Sequence, residues 1–202
     1  MLFRSLSPAY VRAATDFVHA RGLRTHLDGA RLFNAIVKLG IAETAAVAGF
    51  DSVSICLSKG LGAPAGSVLL GSRELTDTAR RWRKALGGGM RQAGVLAAAG
   101  LYALEHHVDR LADDHENAGH LGDGLRRLGL EVEPPQTNIV FVDIPAEHVG
   151  ALRAHLAERG ILASIAPLTR LATHLDAPRA KIDAALQAFR EYPGWTRGLS
   201  ER

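Results

Sequence analysis

The chain has 202 residues, 47% of them hydrophobic and 22% charged, with a net charge of +3. That length supports one substantial core or two small ones, and the balance is that of a globular protein. No apolar run approaches the roughly 18 residues of a membrane span, and Met1–Ser7 is too poor in apolar residues for a signal peptide. The charge is too small to argue for nucleic acid, and the lone cysteine, Cys56, excludes an internal disulfide and suits the cytoplasm.

Ser7-Pro8 is a helix start, with serine as N-cap and proline at the first helical position. Tyr10, Val11, Ala14, Phe17 and Val18 then recur at helical spacing until Gly22. Leu23 to Leu27 reads as a short strand ending at Asp28, and Arg31 to Leu39 as a helix stopped by Gly40. Asp51 to Leu57 is a second strand, because Val53, Ile55 and Leu57 alternate with small residues. Ser67 to Leu70 is a third. Glu74 to Leu86 is helical and carries Arg80, Arg81, Arg83 and Lys84. A long alanine-rich helical region follows from Gln92 to about Arg127, broken near His106 to Asp114.

From about Gly129 the character changes. Thr137 to Asp143 reads as a strand, His148 to Arg159 as a helix, and Ile161 to Ile165 and Leu168 to Thr173 as two strands. Ala180 to Glu191 closes the chain as an amphipathic helix. The expected organisation is an α/β domain over residues 1–128, with an open and mostly parallel sheet, followed by a small α+β domain over 129–202.

Lys59 ends the second strand and meets Gly60, Gly62, Pro64 and Gly66 at once, a density that marks a tightly turned loop. Burial there would lower the lysine pKa and free a nucleophilic amine, as a Schiff base requires. A surface lysine at a strand end is the plainer reading. Asp28 ends another strand, and in open α/β sheets ligands bind beyond the carboxyl ends of the strands. Asp28 also reads as a helix cap. Cys56 is out of phase with Val53, Ile55 and Leu57, and is expected to be buried core on the opposite face. Gly87, Gly88 and Gly89, framed by Lys84 and Arg91, free a backbone to wrap an anion. Arg80 to Lys84, with Trp82 between, also has the look of a nucleic-acid patch, on thin support. His106, His107 and His115 are expected on a solvated helix face, and no metal is assigned.

HLDGAR, LSKGLGAP, LGGGMRQAG and TRLATHLD stand in this order, and together they resemble the low-specificity L-threonine aldolases over residues 9 to 190. Those are fold type I enzymes that use pyridoxal 5′-phosphate (PLP). The resemblance implies a PLP-dependent transferase-like large domain and a small C-terminal domain. It implies that Lys59 forms the Schiff base, that Asp28 pairs with the pyridine nitrogen, and that Arg31 helps bind cofactor or substrate near the ring. It gives Arg170 the substrate α-carboxylate, and Lys84 and Arg91 anion contacts in a neighbouring subunit. A homo-oligomer, dimer or tetramer, follows. The implied reaction is retro-aldol cleavage of L-threonine or L-allo-threonine to glycine and an aldehyde, in threonine catabolism and glycine biosynthesis. Other fold type I chemistries, β-elimination or transamination, share the lysine and aspartate, and a non-catalytic remnant or assembly partner is the further alternative. The family's chains begin upstream of Met1, and the expectation is that the phosphate-binding turn and the ring-stacking histidine lie there. An isolated chain is then expected to cleave little threonine. The β-hydroxyl base is unassigned, with His174 close to Arg170 in sequence.

Overall fold

In the computed structural model, which describes residues 6–197, the Ser7 hydroxyl accepts the Tyr10 N–H and opens α1 (Pro8–His19). Met1–Ser5, on which the signal-peptide reading partly rests, and residues 198–202 lie outside the described residues. β1 (His26–Gly29) begins later than the sequence predicts, because Thr25 directs its N–H and hydroxyl to the Asp51 carboxylate. α2 (Leu32–Leu39) ends on Gly40, whose φ of 62° is the left-handed conformation that glycine adopts without strain. A short α3 (Glu43–Ala46) leads to β2 (Ser52–Cys56) and then β3 (Ser67–Gly71).

The sheet order is β1-β2-β3. β1 and β2 run parallel, with Leu27 beside Val53 and Asp28 beside Ser54, while β3 returns antiparallel, with Val68 beside Ile55. The three strands therefore form a mixed sheet. Residues 57–66 fold back as a hairpin-like loop, whereas a parallel return needs a crossover of a dozen or more residues. α4 (Arg73–Ala85) and α5 (Gly94–His106) follow, and the helical region breaks after His106 near the expected place. Leu57, Leu61, Ala63, Ala103 and Leu111 are buried together, backed by Phe33, Val37 and Val108.

The chain divides into two compact units, one up to Leu111 and one from Ala112 on. α6 (Leu111–Arg127) thus packs with the second unit, ahead of the boundary at residue 128 drawn from sequence. Its Ala118, Leu121 and Leu125 sit in the second core, which composition along the chain does not reveal. There β4 (Val132–Glu133), β5 (Ile139–Asp143) and β6 (Leu168–Ala172) make an antiparallel sheet in that order. α7 (Val149–Glu158) and α8 (Arg179–Arg190) bury Leu152, Leu156, Ile182, Leu186 and Phe189 in the same core as Val140 and Val142. Residues 161–165, expected as a strand, form none. No helix of the described residues is long and apolar enough to cross a membrane.

Candidate active site

Parallel pairing puts the carboxyl ends of β1 and β2 at one edge, about 4.8 Å apart laterally. Asp28 stands at that edge opposite Ser54, while β2 ends at Cys56, so that Lys59, expected at the strand's end, lies three residues beyond it in the following loop. Gly29 follows because a Cβ there would lie 2.8 Å from the Ser54 carbonyl oxygen, so only glycine lets β1 pass so close to β2. Asp28 Oδ1 accepts the Ala30 N–H at 3.1 Å, which closes the turn into α2. Its other oxygen has no partner among the described residues. The capping and ligand-binding readings of Asp28 therefore coexist on one carboxylate, although the helix N-cap itself is Arg31. Arg31 is half-buried there.

Lys59 is exposed, so the burial expected for it is not provided within this unit. Its loop is nonetheless tightly bound. The Leu57 N–H donates to Gly66 O at 3.0 Å, the Ala63 N–H to Leu57 O at 3.0 Å and the Gly62 N–H to Lys59 O at 2.9 Å. Gly62 and Gly66 have φ of 73° and 113°. Gly60 is buried: a Cβ there would stand 2.8 Å from Leu111 Cδ2 and 3.1 Å from Asn34 Nδ2. Asn34, 3% exposed, and His107, whose Nδ1 donates to Leu61 O at 2.6 Å, are the residues that sequence reasoning missed around this loop. A polar residue inside the apolar run of α2 is the signal that Asn34 offered. His107 offered none, since its partner is a distant backbone carbonyl. It is half-buried rather than on the solvated face expected of it.

Cys56 is half-buried, not core, and shares a face with Ser54 and Asp28. Burial pushes its thiol up, but hydrogen bonds from the Ser58 side chain and backbone and the charge of Lys59 outweigh it, leaving the thiol below its ordinary value. Lys84 and Arg91, both exposed, frame the glycine loop between α4 and α5. The Lys84 side chain lies across Gly89, and a Cβ on Gly88 would stand 3.1 Å from the Arg83 carbonyl oxygen. Arg170 belongs to the second unit, exposed on β6 opposite Phe141. His174 Nδ1 accepts the Asp176 N–H at 3.3 Å and so shapes the turn after β6. The first unit thus holds Asp28, Arg31 and Lys59, with Asp28 and the strand leading to Lys59 at one sheet edge.

The sequence model of the Beta-eliminating lyase family matches residues 4–147. The chain belongs to the Beta-eliminating lyase family. It is 45% identical over 183 residues to the low specificity L-threonine aldolase of Escherichia coli (strain K12), covering 89% of this chain and 55% of that protein. The chain thus spans about half the length of the curated relatives it matches. The Leishmania major threonine aldolase superposes with a TM-score of 0.70 at 19% identity, over 92% of this chain and 56% of that one. The Sphingomonas wittichii serine palmitoyltransferase gives 0.67 at 18%, over 97% and 52%. These two likenesses establish the fold alone, that of the fold type I enzymes. The same fold thus occurs in proteins with differently named activities.

Proposed function

We propose that the protein is a PLP-dependent aldehyde-lyase that cleaves L-threonine and L-allo-threonine to glycine and acetaldehyde. The observation that carries this reading is the placement of Asp28 and the Lys59 strand side by side at one sheet edge, in a chain 45% identical to a threonine aldolase. The residues present fit the cofactor. An exposed primary amine and a carboxylate with one oxygen unpartnered among the described residues suit an aldehyde-bearing pyridinium ring.

When bound, PLP supplies an electron sink for the pair left on Cα as the Cα–Cβ bond breaks. Lys59 would hold the cofactor by its side-chain amine. Asp28 would accept a hydrogen bond from the ring nitrogen of the cofactor, and its charge would favour the protonated ring. Arg170 is the candidate for the substrate α-carboxylate, since a planar guanidinium can grip a carboxylate with two parallel N–H donors. Arg31 binds near the ring. Lys84 and Arg91 bring positive charge to the site of a neighbouring subunit, in a homodimer or homotetramer of cytoplasmic protein.

The test begins with borohydride reduction of the protein with PLP, followed by peptide mass spectrometry. A pyridoxyl group on Lys59 is the expected result, and one on Lys84 or spread over several lysines overturns the assignment. The family's own description favours a second reading, β-elimination. L-threonine separates the two, since retro-aldol cleavage yields glycine and acetaldehyde, whereas elimination of the hydroxyl yields 2-oxobutanoate and ammonia.

A further inference from the structure

His107 reaches the loop that follows Lys59 from outside it with a side-chain hydrogen bond. His107 lies just past the end of α5 with its ring half-buried, and its Nδ1–H points at the Leu61 carbonyl 2.6 Å away. Leu61 itself is 3% exposed and seated among Leu57, Ala63, Ala103 and Leu111. The Tyr102 ring meets the His107 ring edge-on at 5.4 Å, which limits how the imidazole can turn. On the other side, Gly60 touches Asn34 and Leu111 so closely that no side chain fits.

These contacts converge on one turn. Gly62 donates its N–H to the Lys59 carbonyl, so Lys59 and the peptide that bears the Leu61 carbonyl belong to the same closed turn. A buried carbonyl that loses its donor reorients to find another. Here that rotation changes the backbone angles two residues after Lys59, and misplacing a reacting group by about 1 Å costs on the order of a hundredfold in rate.

We propose that His107 is a positioning residue: its Nδ1–H fixes the Leu61 carbonyl and thereby the direction in which the turn presents the Lys59 amine. This rests on the reading of Lys59 as the cofactor-holding amine. His107 does not touch the reacting atoms and acts through the backbone alone.

The bond requires a donor at the position of Nδ1. The asparagine amide nitrogen takes that position, while that of glutamine falls at the position of Nε2. In the whole protein, the probe is PLP with borohydride, read as site-resolved labelling of Lys59 against the exposed Lys38, with a thermal melt for each variant. Wild type and His107→Asn should label Lys59 within about twofold of each other. His107→Gln and His107→Phe should lower it about tenfold, with Lys38 unchanged, as loss of a hydrogen bond to a buried carbonyl predicts. Should His107→Phe fail to fold, the comparison of Asn with Gln carries the test. Equal labelling in all variants, or a His107→Asn variant as poor as His107→Gln, overturns the proposal. Preferential labelling of Lys38 in the wild type overturns the reading of Lys59 and the proposal with it, which separates the two failures. Nitrogen-15 NMR gives an activity-free check, since an Nδ1 without a proton cannot donate to a carbonyl.

Discussion

Asp51, at the opposite end of β2 from Lys59, accepts three hydrogen bonds on one carboxylate oxygen. The Thr25 N–H donates at 2.7 Å, the Thr25 hydroxyl at 3.0 Å and His19 Nε2 at 3.0 Å. The backbone N–H of Thr25 acts most strongly, with His19 and the Thr25 hydroxyl after it, and they hold the carboxyl at about 2, below its ordinary 3.8. A carboxyl lowered on folding stabilises the folded state above its unfolded value, and that contribution fades as pH falls through the folded value. The first unit should therefore lose urea resistance between about pH 4 and about pH 2. Asp51→Asn should flatten that part of the profile while leaving a lower resistance at pH 7. An unchanged slope in the variant overturns the assignment. None of this was legible in the sequence, because Asp51 reads there only as the first residue of a strand. The position of Asp28 was legible, since a short apolar strand runs into it.

Helix α6 shows what periodicity along the chain does and does not contain. Its existence follows from the sequence, and so does the break before it, but its allegiance depends on what it packs against. Leu125 is 0% exposed inside the second core, beside Leu130, Val140 and Leu186 among others. Leu125→Ala should therefore cost about 2–5 kcal/mol in unfolding of the second unit, the range for a buried leucine that leaves a cavity. Leu162 makes the contrast. It falls in the segment expected as a strand, yet it is 91% exposed, and Leu162→Ala should stay within about 0.5 kcal/mol. Chemical denaturation of the two variants checks both values. The Ile161–Ile165 alternation was genuine, since Ile165 is buried, but a strand also needs a partner. Here Thr169 turns inward instead, its hydroxyl donating to Ala166 O and accepting the Ala166 N–H. The mixed direction of the first sheet was hidden for a similar reason, because pairing partners are not written in a strand's own residues.

The two units differ sharply in how much apolar surface they bury. In the second, β5, α7 and α8 close over Phe189, Leu152, Leu156, Val140 and Val142, all nearly inaccessible. In the first, β3 is exposed along its whole length, and Trp82, Leu86 and Val95 are 64%, 81% and 76% exposed. Local opening follows such differences, so amides of β5, α7 and α8 should exchange with solvent most slowly and those of β3 and α4 fastest. Asp28 and Lys59 thus sit on the element set with less stability of its own, where binding has the most to add. A ligand that binds only the folded form stabilises it by about 2.7 kcal/mol at a hundredfold excess over its Kd, close to a hundredfold slowing of global opening. Hydrogen exchange of the protein with and without PLP measures this directly. Residues 26–29 and 52–66 should gain protection, with no comparable gain at residues 139–143. A gain confined to the second unit would place the cofactor away from the Asp28–Lys59 edge.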